Sequence, residues 1–253
     1  MKIDRSSWGR LRITGGDRER FLQGLTTINI EGLADGAHAW GAILSPKGRV
    51  LTVFDLAKLG DELLLACETA IADKTRALLE RYAVMDDVTF EPITGPAHQV
   101  WDTPVDTWRA PIAAGAGDVA ETEDAAERMR IRGGFLRYGV DVDEAHFPFE
   151  TPLAQFLDYT KGCYVGQEPV FRVHAQGNAA RALRGFVIEG DAPLARGAKI
   201  EHANKANAGE LTSSIGGGDG TTFALGYLHR TVWDVGGSVT IEGRTATVRE
   251  LPW

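Results

Sequence analysis

Lys161-Gly162-Cys163-Tyr164-Val165-Gly166-Gln167-Glu168 is the stretch that constrains this chain most. A thiol lies there between two glycines, and Pro169 follows where a proline can open a helix. Glycines at this spacing favour a tight loop, because they adopt backbone conformations closed to other residues. A nearby cation or a helix N-terminus stabilises a thiolate. Lys161 and the predicted helix supply both, so the stretch predicts a reactive cysteine.

Cys163 also has a second interpretation, as a buried and unreactive side chain, which is the common state of free cysteine. The other cysteine, Cys67, follows an apolar run and is predicted to lie in the core. Two cysteines are too few for a disulfide framework, an iron–sulfur cluster or a structural zinc site. We therefore predict no metal site and a reducing, intracellular setting.

The composition is that of a globular protein, with 253 residues, 43% hydrophobic and 25% charged. A net charge of −8 argues against a nucleic-acid partner, because phosphate binding needs a basic surface. No window reaches the roughly 18 apolar residues of a membrane span, and the N-terminus has no apolar run of signal-peptide length. These features predict a cytoplasmic protein that contacts neither nucleic acid nor membrane, and we expect a monomer.

Alternating apolar and polar residues in the first half predict a sheet with helices on one face, which is an α+β arrangement. The predicted strands are 8–13, 40–44, 49–59, 62–67, 84–90 and 98–101. The predicted helices are 18–25 and 70–82.

The second half predicts a different architecture. A helix at 124–132 and a strand at 138–142 precede an extended, proline-containing segment at 146–152. Beyond residue 184, short strands alternate with glycine-rich turns, which is typical of a small antiparallel barrel or sandwich. These strands are predicted at 185–188, 199–202, 210–215, 222–228 and 238–248.

Charge changes sign around the signature stretch. Segment 141–158 holds five acids and neither Lys nor Arg, whereas 161–184 holds four basic residues and one acid, Glu168. The two segments either line a pocket for a ligand with an acidic tail and a polar head, or they pair with each other. Glu150, Gln167 and Glu168 are candidate contacts for a heterocycle, because a carboxylate can accept two parallel N–H donors.

The stretch 161–168 resembles the signature of the YgfZ-type folate-binding proteins, relatives of the glycine cleavage T-protein, an aminomethyltransferase. That signature is K-G-C-[aromatic]-x-G-Q-E followed by an arginine, here Arg172. Other segments also occur in the family's order along nearly the whole chain. They are Asp17 with Phe21-Leu22-Gln23-Gly24-Leu25, Leu44-Ser45-Pro46-Lys47-Gly48-Arg49-Val50-Leu51, Arg130-Ile131 with Gly134, Tyr138-Gly139-Val140-Asp141, Pro148 with Glu150, Leu211-Thr212-Ser213-Ser214 and Leu251-Pro252-Trp253.

The resemblance implies an α+β fold of three modules around a central cavity. The first is a discontinuous folate-binding domain of residues 1–36 plus 118–184. The second is a ferredoxin-like domain of residues 37–117, and the third is a C-terminal antiparallel β-barrel of residues 185–253.

The resemblance also implies tetrahydrofolate, or a one-carbon derivative, as the cofactor. Glu150 would hold the pterin, and basic residues would face the glutamate tail. The implied role is assistance in assembling or repairing iron–sulfur enzymes, which would be transient partners. The implied catalytic residues are Cys163 and Lys161, and the cofactor-binding residues are Glu150, Gln167, Glu168, Arg172 and Tyr164.

Two alternatives stay open. One is a folate-dependent aminomethyltransferase or demethylase, but this chain has Val53 where relatives often carry an aspartate, and Thr27-Ile28-Asn29 where they show T-N-D. Asp55 would point to the same side of the strand as Val53. The other is a folate-binding scaffold whose cysteine is incidental. Pro169 and Phe171 also replace the usual valine and alanine after the glutamate, and both alter the wall of the signature loop, so the resemblance specifies the fold more closely than the ligand. An enzyme and a non-enzymatic protein are both retained as hypotheses.

Overall fold

A computed structural model describes residues 1–115, 122–177 and 179–253. The predicted domain boundary between residues 117 and 118 lies outside the described residues. The strands of the first half are β1 (Lys2–Asp4), β2 (Gly9–Thr14), β3 (His38–Leu44), β4 (Val50–Leu59), β5 (Glu62–Cys67), β6 (Thr89–Pro92), β7 (Ala97–Val100) and β8 (Ala113–Ala114). The helices are α1 (Arg18–Leu25), α2 (Ala72–Tyr82), α3 (Asp106–Arg109), α4 (Glu123–Gly133) and α5 (Gln167–Gln176). The last six strands are β9 (Arg181–Glu189), β10 (Lys199–His202), β11 (Lys205–Gly216), β12 (Thr221–His229), β13 (Ser238–Ile241) and β14 (Arg244–Arg249).

In the first half, β1, β7 and β8 form a three-stranded antiparallel sheet, and the other five strands form a larger antiparallel sheet in the order β3-β4-β5-β2-β6. Its strands alternate, so one face carries a buried apolar set that packs on α1 and α2. Strand β2 pairs with β5 and β6, so this one sheet contains strands from both sides of the domain boundary predicted between residues 36 and 37. The domain limits themselves stay a prediction.

An aromatic core covers the other face of this sheet. The Trp40 ring lies edge-on to Trp108 and Phe135, with ring centroids 5.4 Å and 5.0 Å away. Leu225 and Tyr227 of β12 belong to the same buried cluster. The core therefore joins the sheet to the C-terminal strands.

The last six strands close into a barrel in the order β10-β11-β12-β9-β14-β13. This confirms the predicted β-barrel. The single strand predicted at 238–248 is wrong in detail, because the chain reverses at Glu242 and Gly243, both with positive φ, and so forms β13 and β14.

Two other predicted strands are also corrected. The strand predicted at 84–90 begins at Thr89, because Asp87 is held by polar contacts: its N–H donates to Asp17 and its carboxylate accepts from Gly16 N. Segment 138–142 is a turn with one isolated bridge, and Gly139 has a φ of 79°.

Asp141 joins three of the segments that occur in family order. Its fully buried carboxylate accepts from Arg130 Nη1 at 2.6 Å and from Arg137 N at 3.1 Å. Its other oxygen accepts from the hydroxyls of Thr212 at 2.6 Å and Ser213 at 2.7 Å. A buried carboxylate with four donors ties α4 to the barrel.

Within the described ranges, no helix has both the length and the apolar character needed to cross a membrane. Helices α2 and α4 each have 11 residues. The same residues bring no three His, Cys, Asp or Glu side chains together as ligands for a metal ion.

Asp141→Ala should lower the free energy of unfolding by about 3–5 kcal/mol, because it leaves the buried Arg130 without its deepest carboxylate partner. Urea denaturation followed by circular dichroism measures this loss. Asp61→Ala removes a fully exposed carboxylate and should leave the midpoint close to that of wild type. Equal midpoints for the two variants would contradict the role given to Asp141.

Candidate functional site

Lys161 fixes the signature loop to the end of helix α1. Its ammonium donates to the carbonyl oxygens of Gln23, Thr26 and Ile28 at 2.6, 2.7 and 2.6 Å. The side-chain amide of Gln23 returns a hydrogen bond to the carbonyl of Lys161 at 2.8 Å. The last carbonyls of a helix lack partners within the helix, and a cation is favourable there. Lys161 therefore caps α1 from a position far along the chain.

These contacts favour a positioning role for Lys161. An ammonium has three hydrogens, and three carbonyls accept them. Burial lowers the pKa of the amine to about 8, with the charge of Asp158 opposing that shift. The predicted catalytic role of Lys161 stays a prediction, but its donors are already engaged.

The other side of the loop packs on the Leu44–Arg49 turn. Gly166 has a φ of 80°, and a Cβ there would lie 2.3 Å from the carbonyl oxygen of Ser45. Gly48 has a φ of 77°, and its Cβ would lie 3.1 Å from Cβ of Pro169. Two turns approach so closely that both positions require glycine. Helix α5 then begins at Gln167, close to the start predicted from Pro169.

Cys163 is exposed at the tip of this anchored loop. The next side chain, Tyr164, is only 6% exposed, and burial raises the pKa of its hydroxyl to about 12. The interpretation of Cys163 as a buried cysteine is therefore wrong. Cys67 lies in the core as predicted, and burial raises the pKa of its thiol to about 11. The two thiols have opposite environments.

The residues predicted to contact a cofactor are mostly engaged within the protein. The buried Glu150 carboxylate accepts from Arg181 Nε at 3.1 Å and Nη2 at 3.3 Å, and from Phe147 N at 3.0 Å. Glu168 and Arg172 form an exposed ion pair at 2.8 Å. The acidic and basic segments are therefore joined directly through Glu150 and Arg181.

A cleft of about 580 Å³ lies beside the segment that leads into the signature loop. Tyr159 and His174 line it, with their rings stacked at a centroid distance of 3.8 Å. Asn29 and Asp158 line it as well, and the Asn29 amide donates to Asp158 at 2.8 Å. Stacked rings beside paired polar groups suit a planar heterocycle with hydrogen-bonding edges.

Sequence reasoning missed this arrangement. Among the described residues that line the cleft, none is one of the seven predicted site residues. In the sequence, His174 has no partner at metal-ligand spacing, and only the structure shows that its ring stacks on Tyr159. The sequence does draw attention to Asn29, because it lies in Thr27-Ile28-Asn29, the segment that stands where relatives show T-N-D. Its contact with Asp158 spans 129 residues, which sequence spacing does not reveal.

Asp55, the acid closest to the substituted Val53, is also engaged. Its buried carboxylate lies 2.6 Å from His38 Nδ1, and His38 Nε2 lies 2.8 Å from the carbonyl oxygen of Arg109. Both partners only accept, which favours an imidazolium. Burial lowers the pKa of His38, but the hydrogen bond and charge of Asp55 outweigh it, so the pKa is raised overall. Asp55 therefore acts as the counter-ion of His38.

No family model matches the chain. A chloroplastic protein of Arabidopsis thaliana, provisionally named a transferase, is 25% identical over 99% of this chain and 70% of its own length. The tRNA-modifying protein YgfZ of Yersinia pestis is 25% identical over 90% of this chain and 84% of its own length. The crystal structure of the glycine cleavage system aminomethyltransferase T from Bartonella henselae matches 99% of this chain and 85% of its own, with a TM-score of 0.81 and 14% identity. That likeness confirms the three-module, T-protein-like α+β fold.

Lys161→Met should lower the free energy of unfolding by about 3 kcal/mol or more, because three carbonyls lose a charged donor. Thermal and urea denaturation measure the change. Lys47→Met, at an exposed lysine of the neighbouring hairpin, is the matched control and should have little effect. If Lys161→Met is as stable as wild type, the structural role of Lys161 is wrong and its predicted catalytic role is favoured.

The His38–Asp55 pair should make stability depend on pH. The pKa of His38 is raised above its unfolded value of about 6.5, so the pair contributes fully below that pH and is lost as the pH rises through the folded pKa. The difference in unfolding free energy between wild type and His38→Gln should therefore be larger at about pH 6 than at about pH 9. A difference that is constant or grows with pH would contradict this assignment.

Proposed function

Because the chain is a YgfZ-type relative of the glycine cleavage T-protein, we propose that it is a tetrahydrofolate-binding accessory protein that supports iron–sulfur enzymes. In this proposal Cys163 acts during assembly or repair of those enzymes, which are transient partners of a cytoplasmic monomer. The observation that carries the proposal is the exposed thiol on a loop anchored at Lys161 and Gly166, whose leading segment lines the cleft.

The thiol supports the proposal through its exposure. Cys67 is buried and its pKa is raised to about 11, so its thiolate is scarce at neutral pH. Cys163 is therefore the thiol that is accessible to a partner. Its anchored loop limits the conformational freedom lost when a partner binds.

The cleft supports the cofactor assignment. Its volume of about 580 Å³ is typical of small-molecule sites. The stacked Tyr159 and His174 rings would contact a flat pterin, and Asn29 with Asp158 would bind its polar edge. Bound tetrahydrofolate would supply a carrier for a one-carbon unit. Glu150 would contribute indirectly, by holding Arg181.

The second candidate is a one-carbon transferase, favoured by the T-protein fold. Val53 replaces the usual acid, and Asp55 is bound to His38, so we rank this function second. Release of methylene-tetrahydrofolate from a glycine-like amine would favour it. Direct nucleic-acid binding is not part of either proposal, because a net charge of −8 disfavours binding along a polyanionic backbone.

Tetrahydrofolate should bind wild type and Cys163→Ala with similar affinity, whereas Asp158→Ala should weaken binding about tenfold by removing a polar contact of the cleft. Calorimetric titration measures the affinities. Absence of binding to wild type would refute the cofactor assignment.

The role of the thiol has a separate readout. Cys163→Ala should abolish rescue of cluster-dependent enzymes in cells that lack the protein, while Cys67→Ala should retain it. In wild type, iodoacetamide should modify Cys163 and spare Cys67. Full rescue by Cys163→Ala would contradict the role proposed for the thiol. If Cys163 is alkylated no faster than a model thiol, the alternative of a folate-binding scaffold is favoured.

A further inference from the structure

A second cavity of about 470 Å³ lies between the start of the chain, helix α4 and the barrel. Arg5, Trp101 and Arg137 line it, and Ile215 of β11 contributes to its wall. None of the described residues that line it also lines the cleft of Tyr159 and His174. The cavity is therefore separate from the site proposed for folate.

Arg5 is a largely buried cation without a direct counter-ion. Its guanidinium stacks on Trp8 and Trp101, 4.4 Å and 4.9 Å from the ring centroids. Its Nε and Nη2 donate to the neutral Gln99 side chain at 3.2 Å and 3.0 Å. No carboxylate among the described residues forms an ion pair with it. Burial lowers the pKa of Arg5 to about 10, although the more distant charge of Glu68 opposes this.

The Trp101 ring, on which Arg5 stacks, forms part of the same wall. Its side chain is 2% exposed, and its indole N–H has no hydrogen-bond partner within the described residues. Buried N–H groups without a partner are uncommon in folded proteins, since each costs about 1–3 kcal/mol. Because this nitrogen has almost no accessible surface, the feature that calls for a ligand is the charge of Arg5, which an anionic group in the cavity would balance.

The acids that line the cavity do not fill this role. Both oxygens of Glu127 accept from Arg130 at 2.8 Å, and one also accepts from Arg137 at 2.8 Å. Glu123 and Asp124 lie in the first turn of α4, where both are exposed to solvent at the rim. Water screens these rim charges, whereas Arg5 is held among aromatic rings.

We propose that this cavity binds the oxyanion group of a small organic acid or phosphate ester. Arg5 supplies the charge, and Arg137 supplies further donors. Planar guanidinium groups bind carboxylate and phosphate oxygens through parallel hydrogen bonds. The volume of about 470 Å³ leaves room for the body of the ligand beyond its anionic group.

Nuclear magnetic resonance of the six tryptophan indole N–H groups provides the test. The full-length protein is titrated with inorganic phosphate in one arm and with succinate in the other. The Trp101 signal, identified by its loss in Trp101→Phe, should shift and saturate in at least one arm. A response to phosphate assigns a phosphate group to the ligand, and a response to succinate assigns a carboxylate.

Arg5→Met keeps an unbranched side chain between the aromatic rings and removes the charge, so it should weaken binding about tenfold or more. Arg249→Met, at an exposed arginine of β14, is the matched control and should bind as wild type does. If Arg5→Met does not fold, Arg137→Met, at a half-exposed side chain, replaces it and should also weaken binding. The proposal is overturned if neither anion shifts the Trp101 signal, or if the folded variant binds as tightly as wild type. Cys163→Ala should bind both anions unchanged, which separates this result from the folate proposal.

Discussion

The ammonium of Lys161 is the contact on which the candidate site depends. It satisfies three carbonyls at the end of α1 and in the segment after it, and the Gln23 side chain returns a hydrogen bond to the loop. Burying an ammonium is costly, but hydrogen bonds to all of its protons offset the loss of hydration. These hydrogen bonds join the thiol loop to the C-terminus of α1 and to the segment after it, where Asn29 lines the cleft.

Most of the motif residues can be understood as contacts between segments that are distant in sequence. Gly48 and Gly166 allow two turns to meet, and Asp141 gathers donors from α4 and the barrel. In the signature itself, Lys161 and Tyr164 are held by the fold. Cys163 is exposed between them, and packing gives no reason for a thiol there. A residue that the motif retains and the fold does not use is a strong candidate for chemistry with a partner.

Local pattern predicted most of the architecture. Helix α1 and strand β5 were predicted at their observed limits, because alternation and helical spacing are properties of neighbouring residues. The barrel followed from short strands between glycine turns, although its last two strands were merged at Glu242-Gly243. The candidate site was harder to predict from the sequence. Glycine spacing correctly indicated an exposed loop at Cys163, whereas the pairing of Glu150 with Arg181 and of Asn29 with Asp158 depends on tertiary contacts that no local pattern encodes.

The cap of α1 also has a consequence for the order of events at the ribosome. Gln23 and Lys161 are 138 residues apart, so at typical synthesis rates roughly seven to thirty seconds separate their emergence. Until then, water must hydrate the carbonyls that Lys161 will cover. The end of α1 therefore stays uncapped throughout this interval, and the loop that brings Lys161 also brings the exposed Cys163.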